Sequence, residues 1–301
     1  MDSPGERRSF LGIIFLSPSE RRLRSGWRIL LQTIMLGVFL FIISFPILWF
    51  GFGKSQTWLM FWSTLAECFA ITVSIIYARR FLDKRTFVSL GLKTGKQAVM
   101  DLLVGFVIAF IMMAFIFTIF FASKWMTFDG FAWQMDGLAF TISQLLTWLV
   151  IFIVVGWQEE LLSRGYHLQN LSDGLNLIWG IILSSLTFSV LHIFNPGATW
   201  ISTLGIFLAG LFLASAYVLT RQLWLPIGLH IGWNFFEGTI FGFPVSGLNS
   251  FTLLRIKISG PSLWTGGEFG PEAGLLIIAA LLIGTLLVYL YAKRRRMSAD
   301  D

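Results

Sequence analysis

Charged side chains are scarce in this chain. Asp, Glu, Lys and Arg make up 13% of the 301 residues, whereas hydrophobic residues make up 56% and the mean hydropathy is +0.77. A soluble domain carries roughly 25% charged residues. Together with 31 Phe and 13 Trp, the deficit excludes an ordinary soluble domain and predicts a polytopic membrane protein.

Cysteine is almost absent, and a signal peptide and several protease motifs are missing. The single cysteine, Cys68, excludes a disulfide framework. The first apolar run, SFLGIIFL, is too short to cross a bilayer, so no signal peptide is expected. The sequence contains no HExxH, GxGD or GxSG motif, which argues against the metal, aspartyl and serine proteases that carry them.

The chain contains several long apolar segments. A transmembrane helix needs roughly 20 apolar residues, and about eight segments qualify. They span residues 28–50, 57–79, 97–121, 137–160, 175–193, 199–220, 224–243 and 273–292. Because helices satisfy their own backbone polar groups in lipid, we predict an all-α polytopic membrane protein with about eight transmembrane helices.

Three regions follow from this pattern. Residues 1–27 form a basic N-terminal segment, either an interfacial amphipathic segment or a basic tail. Residues 28–292 form a single transmembrane domain, whose polar motifs fall within 137–243. Residues 293–301 form a tail.

The cations are distributed as topology signals. Lys and Arg concentrate before the first segment, after the second and after the last, whereas the loops that follow the first and third segments hold only Lys54 and Lys124. The positive-inside rule therefore predicts both termini in the cytoplasm. The net charge of +6 then indicates contact with membrane lipids and no nucleic-acid partner. The absence of a transit peptide favours the prokaryotic inner membrane.

Ionisable residues inside transmembrane segments are costly and mark functional sites by default. Most of them here fall between residues 159 and 237. The full set is Glu67, Glu159, Glu160, Arg164, His192, His230 and Glu237.

The segment QEELLSR separates two adjacent carboxylates. On a helix, Glu160 and Arg164 are at positions i and i+4 and can pair. Glu159 points about 100° away and is left free. A solvated helix end is the alternative for this segment alone.

Two further polar faces follow on later segments. FSVLH places Phe188 and His192 on one helical face, and HIGWNFFE places His230, Asn234 and Glu237 on another. An interhelical hydrogen-bond seam would explain either face alone. Because three such features lie on three segments, we expect a shared polar cavity. The spacing from the Asp173–Gly174 turn predicts that it lies in the cytoplasmic half of the membrane.

Two kinds of chemistry suit such a cavity. A glutamate and a histidine can polarise a water and take its proton, while a second histidine and an asparagine donate hydrogen bonds to an oxyanion. Alternatively, Glu159, His192 and His230 can bind a zinc ion with a water in the fourth position. The residues alone leave the metal-free and the zinc mechanism open.

QEELLSR, FSVLH and HIGWN resemble the EExxxR, FxxxH and HxxxN motifs of the CAAX-protease and bacteriocin-processing family of intramembrane endopeptidases, over about 157–237. The preceding DKRTFVSLGL is similar to that family's usual lead-in. The resemblance implies an eight-helix membrane protease that cleaves peptide bonds near or in the membrane. Eukaryotic members of the family remove the last three residues from prenylated proteins.

Transferred by position, the resemblance implies that Glu159 and His192 activate the water and that His230 and Asn234 hold the oxyanion. Glu160, Arg164 and Phe188 would support the site. Glu237, which shares the His230 face, and Glu67 are expected to line the cavity.

The sequence therefore predicts an endopeptidase acting on membrane-associated, prenylated or otherwise lipidated peptides or proteins. A non-catalytic immunity or scaffold protein on the same fold is the main alternative. A transporter is the third class, although no paired broken helices in two related halves are found.

Overall fold

The computed structural model describes residues 10–17, 20 and 22–300. Part of the basic N-terminal segment 1–27 therefore lies outside the described residues. Its described part contains a short helix, Phe10–Phe15, and the bridge between Leu16 and Leu23. The interfacial placement of this segment remains a prediction.

Helices account for most of the chain, as predicted. In chain order they are α1 Phe10–Phe15, α2 Ser25–Phe50, α3 Gln56–Tyr77, α4 Lys96–Ala122, α5 Ala132–Met135, α6 Leu138–Glu160, α7 Leu168–Gly174, α8 Leu177–Leu191, α9 Trp200–Thr220, α10 Trp224–Asn234, α11 Ser262–Thr265 and α12 Leu276–Asp300. Two short 3-10 turns, Phe87–Leu90 and Pro271–Ala273, lie between them.

Three helices continue directly into π-helical segments. These segments are Ala78–Leu82 after α3, Leu161–His167 after α6 and Phe235–Ile240 after α10. Each π segment widens the helix and changes the direction of the side chains that follow it. The hydropathy pattern shows the helices but not these changes of phase.

Each of the predicted apolar segments coincides with a helix. Among the described residues, six helices are long and apolar enough to cross a membrane: Ser25–Phe50, Trp58–Leu82, Lys96–Ala122, Leu138–Gly174, Trp200–Thr220 and Leu276–Met297. The segment predicted at 175–193 is a shorter apolar helix, Leu177–Leu191. The structure is thus that of a polytopic membrane protein, while the count of eight spans and the cytoplasmic termini remain predictions.

A small sheet is the one departure from an all-α fold among the described residues. Strand β1, Met126–Phe131, pairs antiparallel with β2, Leu254–Ile258. Gly130 adopts a φ of +138° at the bulge that follows Phe128. The strands come from two loops that the hydropathy pattern leaves unassigned, and their pairing depends on the folded helices that bring these loops together.

The close contact between α4 and α10 forms the centre of the helix bundle. A Cβ on Gly105 would lie 2.5 Å from the Leu225 carbonyl oxygen, and one on Gly228 would overlap the Leu102 carbonyl oxygen. Small residues of this kind let helices approach closely in membranes. The contact positions His230 and Asn234, which are both on α10.

Gly228→Ala is predicted to destabilise the protein. The added methyl group would collide with backbone atoms of Leu102, and overpacking of this kind costs about 1–3 kcal/mol. The measurement is the thermal unfolding midpoint of the purified protein in detergent.

The matched control is Gly37→Ala in α2, where a Cβ would meet nothing within 4 Å. Because Ala favours helix, this variant should be as stable as the wild type or up to about 1 kcal/mol more stable. Equal midpoints for the two variants would contradict the close contact.

Candidate active site

The QEELLSR segment spans the junction between α6 and the first turn of the π segment that follows it. Glu160 is the last residue of α6, and the seven residues Leu161–His167 that follow are all buried. The Arg164 Nη1 donates to the Glu160 Oε1 at 2.7 Å, at the i, i+4 spacing that the sequence predicts. π-helical segments inside longer helices are frequent at functional sites.

Glu160 also positions a histidine from α10. The carboxylate is completely buried, and its Oε1 lies 2.8 Å from Nδ1 of His230. Because an ionised carboxylate only accepts hydrogen bonds, Nδ1 carries the proton in this contact. In the neutral ring, Nε2 of His230 therefore presents a lone pair.

Arg164 is held by three neighbours. Besides Glu160, its guanidinium donates to the Gly210 carbonyl oxygen at 3.0 Å and lies 4.4 Å from the centre of the Phe188 ring. A guanidinium over an aromatic face is stabilised by the ring quadrupole. Phe188 thus connects the ion pair to α8.

His192 lies just past the end of α8, where it caps the helix. Its Nδ1 is 2.8 Å from the Phe188 carbonyl oxygen, and the two rings are 4.8 Å apart. A carbonyl oxygen only accepts, so this nitrogen also carries the proton. The Nε2 of His192 is again the free nitrogen.

Both free nitrogens face Glu159. Its Oε2 lies 3.9 Å from Nε2 of His192 and 3.7 Å from Nε2 of His230, and it accepts no hydrogen bond within the described residues. These distances are too long for direct hydrogen bonds. A carboxylate oxygen and two imidazole lone pairs are all acceptors, so together they suit a water that donates its two hydrogens.

A cavity of about 390 Å³ surrounds this group. Glu159, His192, His230 and Asn234 all contribute to its wall, as do Glu67 and Phe188. The rest of the wall is mostly apolar and includes Phe152, Ile206, Phe212, Leu213, Leu229 and Leu281. The four predicted catalytic residues are therefore brought together in one largely apolar space.

Glu237 is placed differently from the prediction. It is absent from the cavity wall, and its fully buried carboxyl has no hydrogen-bond partner within the described residues. Its position follows from the π segment Phe235–Ile240, because the change of phase after Asn234 turns Glu237 away from the face of His230.

Sequence reasoning missed Glu272, a carboxylate that does line the cavity. Its Oε2 accepts from the backbone nitrogen of Ser246 at 2.7 Å and from the Ser246 hydroxyl at 2.6 Å, and its Oε1 accepts from Trp233 Nε1 at 3.1 Å. Burial raises the pKa of Glu272, and the Ser246 hydrogen bonds oppose that rise. The available signal was its position as an acidic residue immediately before the last apolar segment.

The predicted zinc ligands are Glu159, His192 and His230. One carboxylate and two imidazoles are ligand types that zinc accepts. Across the part of the chain that the structure describes, however, no three His, Cys, Asp or Glu side chains form a group that could hold a metal ion. Zinc at these three residues remains a prediction.

Glu160→Ala is predicted to lower the free energy of unfolding by about 3–5 kcal/mol, because it leaves the Arg164 charge buried and unpaired. The measurement is the unfolding midpoint in detergent. Asp129→Ala is the control, since it breaks the exposed pair between Asp129 and Lys257, which is worth about 0–1 kcal/mol. Similar losses in both variants would contradict a buried pair.

Comparison with known proteins finds a family match over the part of the chain that carries the three motifs. Residues 141–236 match the family model described as type II CAAX prenyl endopeptidase Rce1-like. The match includes the predicted catalytic and supporting residues and leaves out Glu67, Glu237 and Glu272. No curated protein matches the chain significantly. Over this motif-bearing core, the chain is similar to the CAAX-protease family that the three motifs indicate.

Proposed function

We propose that this protein is an intramembrane endopeptidase that hydrolyses peptide bonds of membrane-associated substrates. The observation that supports this proposal most directly is that Nε2 of His192 and Nε2 of His230 both face Oε2 of Glu159. This oxygen accepts no hydrogen bond within the described residues. The family match supports a CAAX-type endopeptidase in general, and the apolar cavity wall suits a substrate delivered from the membrane. Prenylated or otherwise lipidated peptides and proteins are the first class to test.

In the proposed reaction, Glu159 and His192 bind the attacking water between them. The water donates one hydrogen to Oε2 of Glu159 and the other to Nε2 of His192. The hydrogen bond from Nδ1 of His192 to the Phe188 carbonyl oxygen holds the His192 ring in place. Glu159 takes a proton as the oxygen attacks the scissile carbonyl carbon, and general-base assistance of this kind contributes about 10²–10⁴-fold. The proton then passes to the leaving amine.

His230 and Asn234 would hold the oxyanion. The Asn234 side-chain amide is a donor in any protonation state. His230 donates through Nε2 only when both ring nitrogens are protonated, and two carboxylates face the ring with the complementary charge, Glu160 at Nδ1 and Glu159 near Nε2. Preorganised donors in a cavity of low dielectric stabilise developing charge better than water does.

Loss of the water-binding pair is predicted to abolish cleavage. Purified protein in lipid vesicles is incubated with membrane-anchored peptides, with and without a prenyl group, and products are identified by mass spectrometry. Glu159→Gln and His192→Ala should each reduce kcat by about 10²–10⁴-fold, while the unfolding midpoint shows whether each variant is folded.

Glu268→Gln is the control for this experiment, because Glu268 is exposed in the loop before α12 and is absent from the cavity wall. It should cleave like the wild type. Equal cleavage by the wild type and both site variants would reject the proposed pair. No cleavage of any peptide by the wild type would favour the non-catalytic immunity or scaffold alternative.

Metal dependence requires a separate measurement. Zinc bound by Glu159, His192 and His230 predicts about one zinc per chain, less in His192→Ala, and an unfolding midpoint that falls on chelation. A water held by protein groups alone predicts the same metal content in both proteins and an unchanged midpoint. Elemental analysis and thermal unfolding therefore distinguish the two mechanisms independently of activity.

A further inference from the structure

The water-binding and oxyanion-binding parts of the candidate active site lie on different helices. His192 is in the turn that follows α8, whereas Asn234 is the last residue of α10. The proposed hydrolysis needs both side chains at fixed positions around one carbonyl group, and a misplacement of about 1 Å can cost about 100-fold in rate. Contacts that connect the two parts are therefore important for the reaction.

Glu272 is connected to the oxyanion part through Trp233. The Oε1 atom of Glu272 accepts from Trp233 Nε1 at 3.1 Å, and Trp233 directly precedes Asn234 in α10. The backbone of Glu272 also packs closely against α9, where a Cβ on Gly205 would overlap the Glu272 carbonyl oxygen. The buried Glu272 side chain therefore joins the turn before α12 to α10 next to Asn234.

The other carboxylate oxygen of Glu272 holds a strained residue. Ser246 adopts a φ of +48°, a conformation that residues other than glycine seldom adopt. Oε2 of Glu272 accepts from the Ser246 backbone nitrogen at 2.7 Å and from the Ser246 hydroxyl group at 2.6 Å. Such strain persists only where surrounding contacts determine the conformation. Because both hydrogen bonds are contacts of this kind, Glu272 determines the direction in which the Ser246 carbonyl group points.

The Ser246 carbonyl group is bonded to the turn that contains His192. Its oxygen accepts from Asn195 Nδ2 at 2.9 Å, and the Asn195 backbone nitrogen donates to the His192 carbonyl oxygen at 3.1 Å. A continuous series of hydrogen bonds thus runs from Oε2 of Glu272 through Ser246 and Asn195 to His192. One carboxyl group is therefore connected to both parts of the candidate active site.

We propose that Glu272 is a positioning residue, which sets the place of His192 relative to Asn234 and so aligns the activated water with the oxyanion donors. Its two oxygens divide this task, one bonding to the residue beside Asn234 and the other to the residue that holds the His192 turn. The inference rests on the proposed endopeptidase function. It adds a residue that lies outside the family match over residues 141–236.

The position of His192 can be measured independently of activity. The chain has three histidines, His167, His192 and His230, so magnetic resonance of protein with isotope-labelled histidine rings gives three sets of signals, which His192→Ala and His230→Ala assign. Glu272→Ala should shift the His192 signals by more than their line width. His167 lies outside the cavity wall, so its signals should stay as in the wild type and show that the fold is intact.

Glu272→Gln separates the position of His192 from the charge beside it. The amide keeps an oxygen that can accept from both Ser246 donors, whereas its nitrogen cannot accept from Trp233. We therefore expect His192 signals close to those of the wild type, although the side chain is neutral. A shift as large as that in Glu272→Ala would overturn the connection through Ser246.

The same variants are compared in the cleavage experiment above. Glu272→Ala should lower kcat by about 10–100-fold because the water and the oxyanion donors lose their alignment. KM should stay within about twofold of the wild type, since the lost interaction acts mainly in the transition state. Glu272→Gln keeps the connection to His192 and should lose less activity than Glu272→Ala.

Asn195→Ala tests the connection if Glu272→Ala does not fold. It removes the donor to the Ser246 carbonyl oxygen and leaves the three hydrogen bonds to Glu272 in place. It should shift the His192 signals and lower kcat, and its loss should not add to that of Glu272→Ala, because both break one series of bonds. Glu268→Gln, exposed in the loop before α12 and outside the cavity wall, should match the wild type in signals and kcat.

The outcomes separate this inference from the function on which it rests. Unchanged His192 signals in folded Glu272→Ala or Asn195→Ala overturn the positioning role. Shifted signals with an unchanged kcat overturn its part in the reaction, while the endopeptidase function stands. Failure of the wild type to cleave any membrane peptide overturns the endopeptidase function itself, and the histidine signals then still decide whether Glu272 positions His192.

Discussion

The buried carboxylate of Glu160 is the constraint on which the candidate site depends. A charge without solvent exposure is stable only when it is paired and hydrogen-bonded, and Glu160 receives both Arg164 and His230. The first contact joins α6 to the π segment that follows it, and the second joins α6 to α10. The same carboxylate therefore fixes the protonated nitrogen of His230 and directs the other nitrogen toward Glu159.

Two adjacent glutamates thereby acquire different environments. Glu160 is enclosed and paired, whereas the Glu159 side chain keeps 27% of its surface exposed and faces two imidazoles. Neighbouring carboxylates on one helix point about 100° apart, so one can face the protein interior while the next faces a cavity. This division suits the proposed reaction, in which Glu159 must reach the substrate while Glu160 holds Arg164 and His230 in place.

The sequence predicts most of this site because the arrangement of its residues depends mainly on local spacing along the chain. The i, i+4 spacing of Glu160 and Arg164 follows from helix periodicity, as does that of His230 and Asn234. The apolar segments place the two pairs on separate helices. The missed features depend on tertiary structure. The π segment after Asn234 turns Glu237 away from the cavity, and Glu272 reaches the cavity only because its loop folds back over the helices. The β1–β2 sheet is equally non-local.

Several arginines whose distribution in the sequence predicts the membrane topology also form ion pairs in the structure. Arg28 and Arg79 both pair with the buried Asp83, at 3.0 Å and 2.8 Å. Arg22 and Arg85 pair with Asp173, at the end of α7. The positive-inside pattern and these ion pairs are compatible, because the same side chains lie at the ends of the helices that they connect.

This network gives a structural meaning to the DKRTFVSLGL segment. Asp83, its first residue, accepts from both arginines, and Leu90 and Leu92, near its end, are buried in one cluster with Leu161 and Tyr166 of the π segment after α6. The segment therefore packs against the part of the helix that carries Arg164. Arg164 pairs with Glu160, and Glu160 orients His230. The DKRTFVSLGL segment therefore helps to hold the geometry of the candidate active site, although it lies outside the cavity.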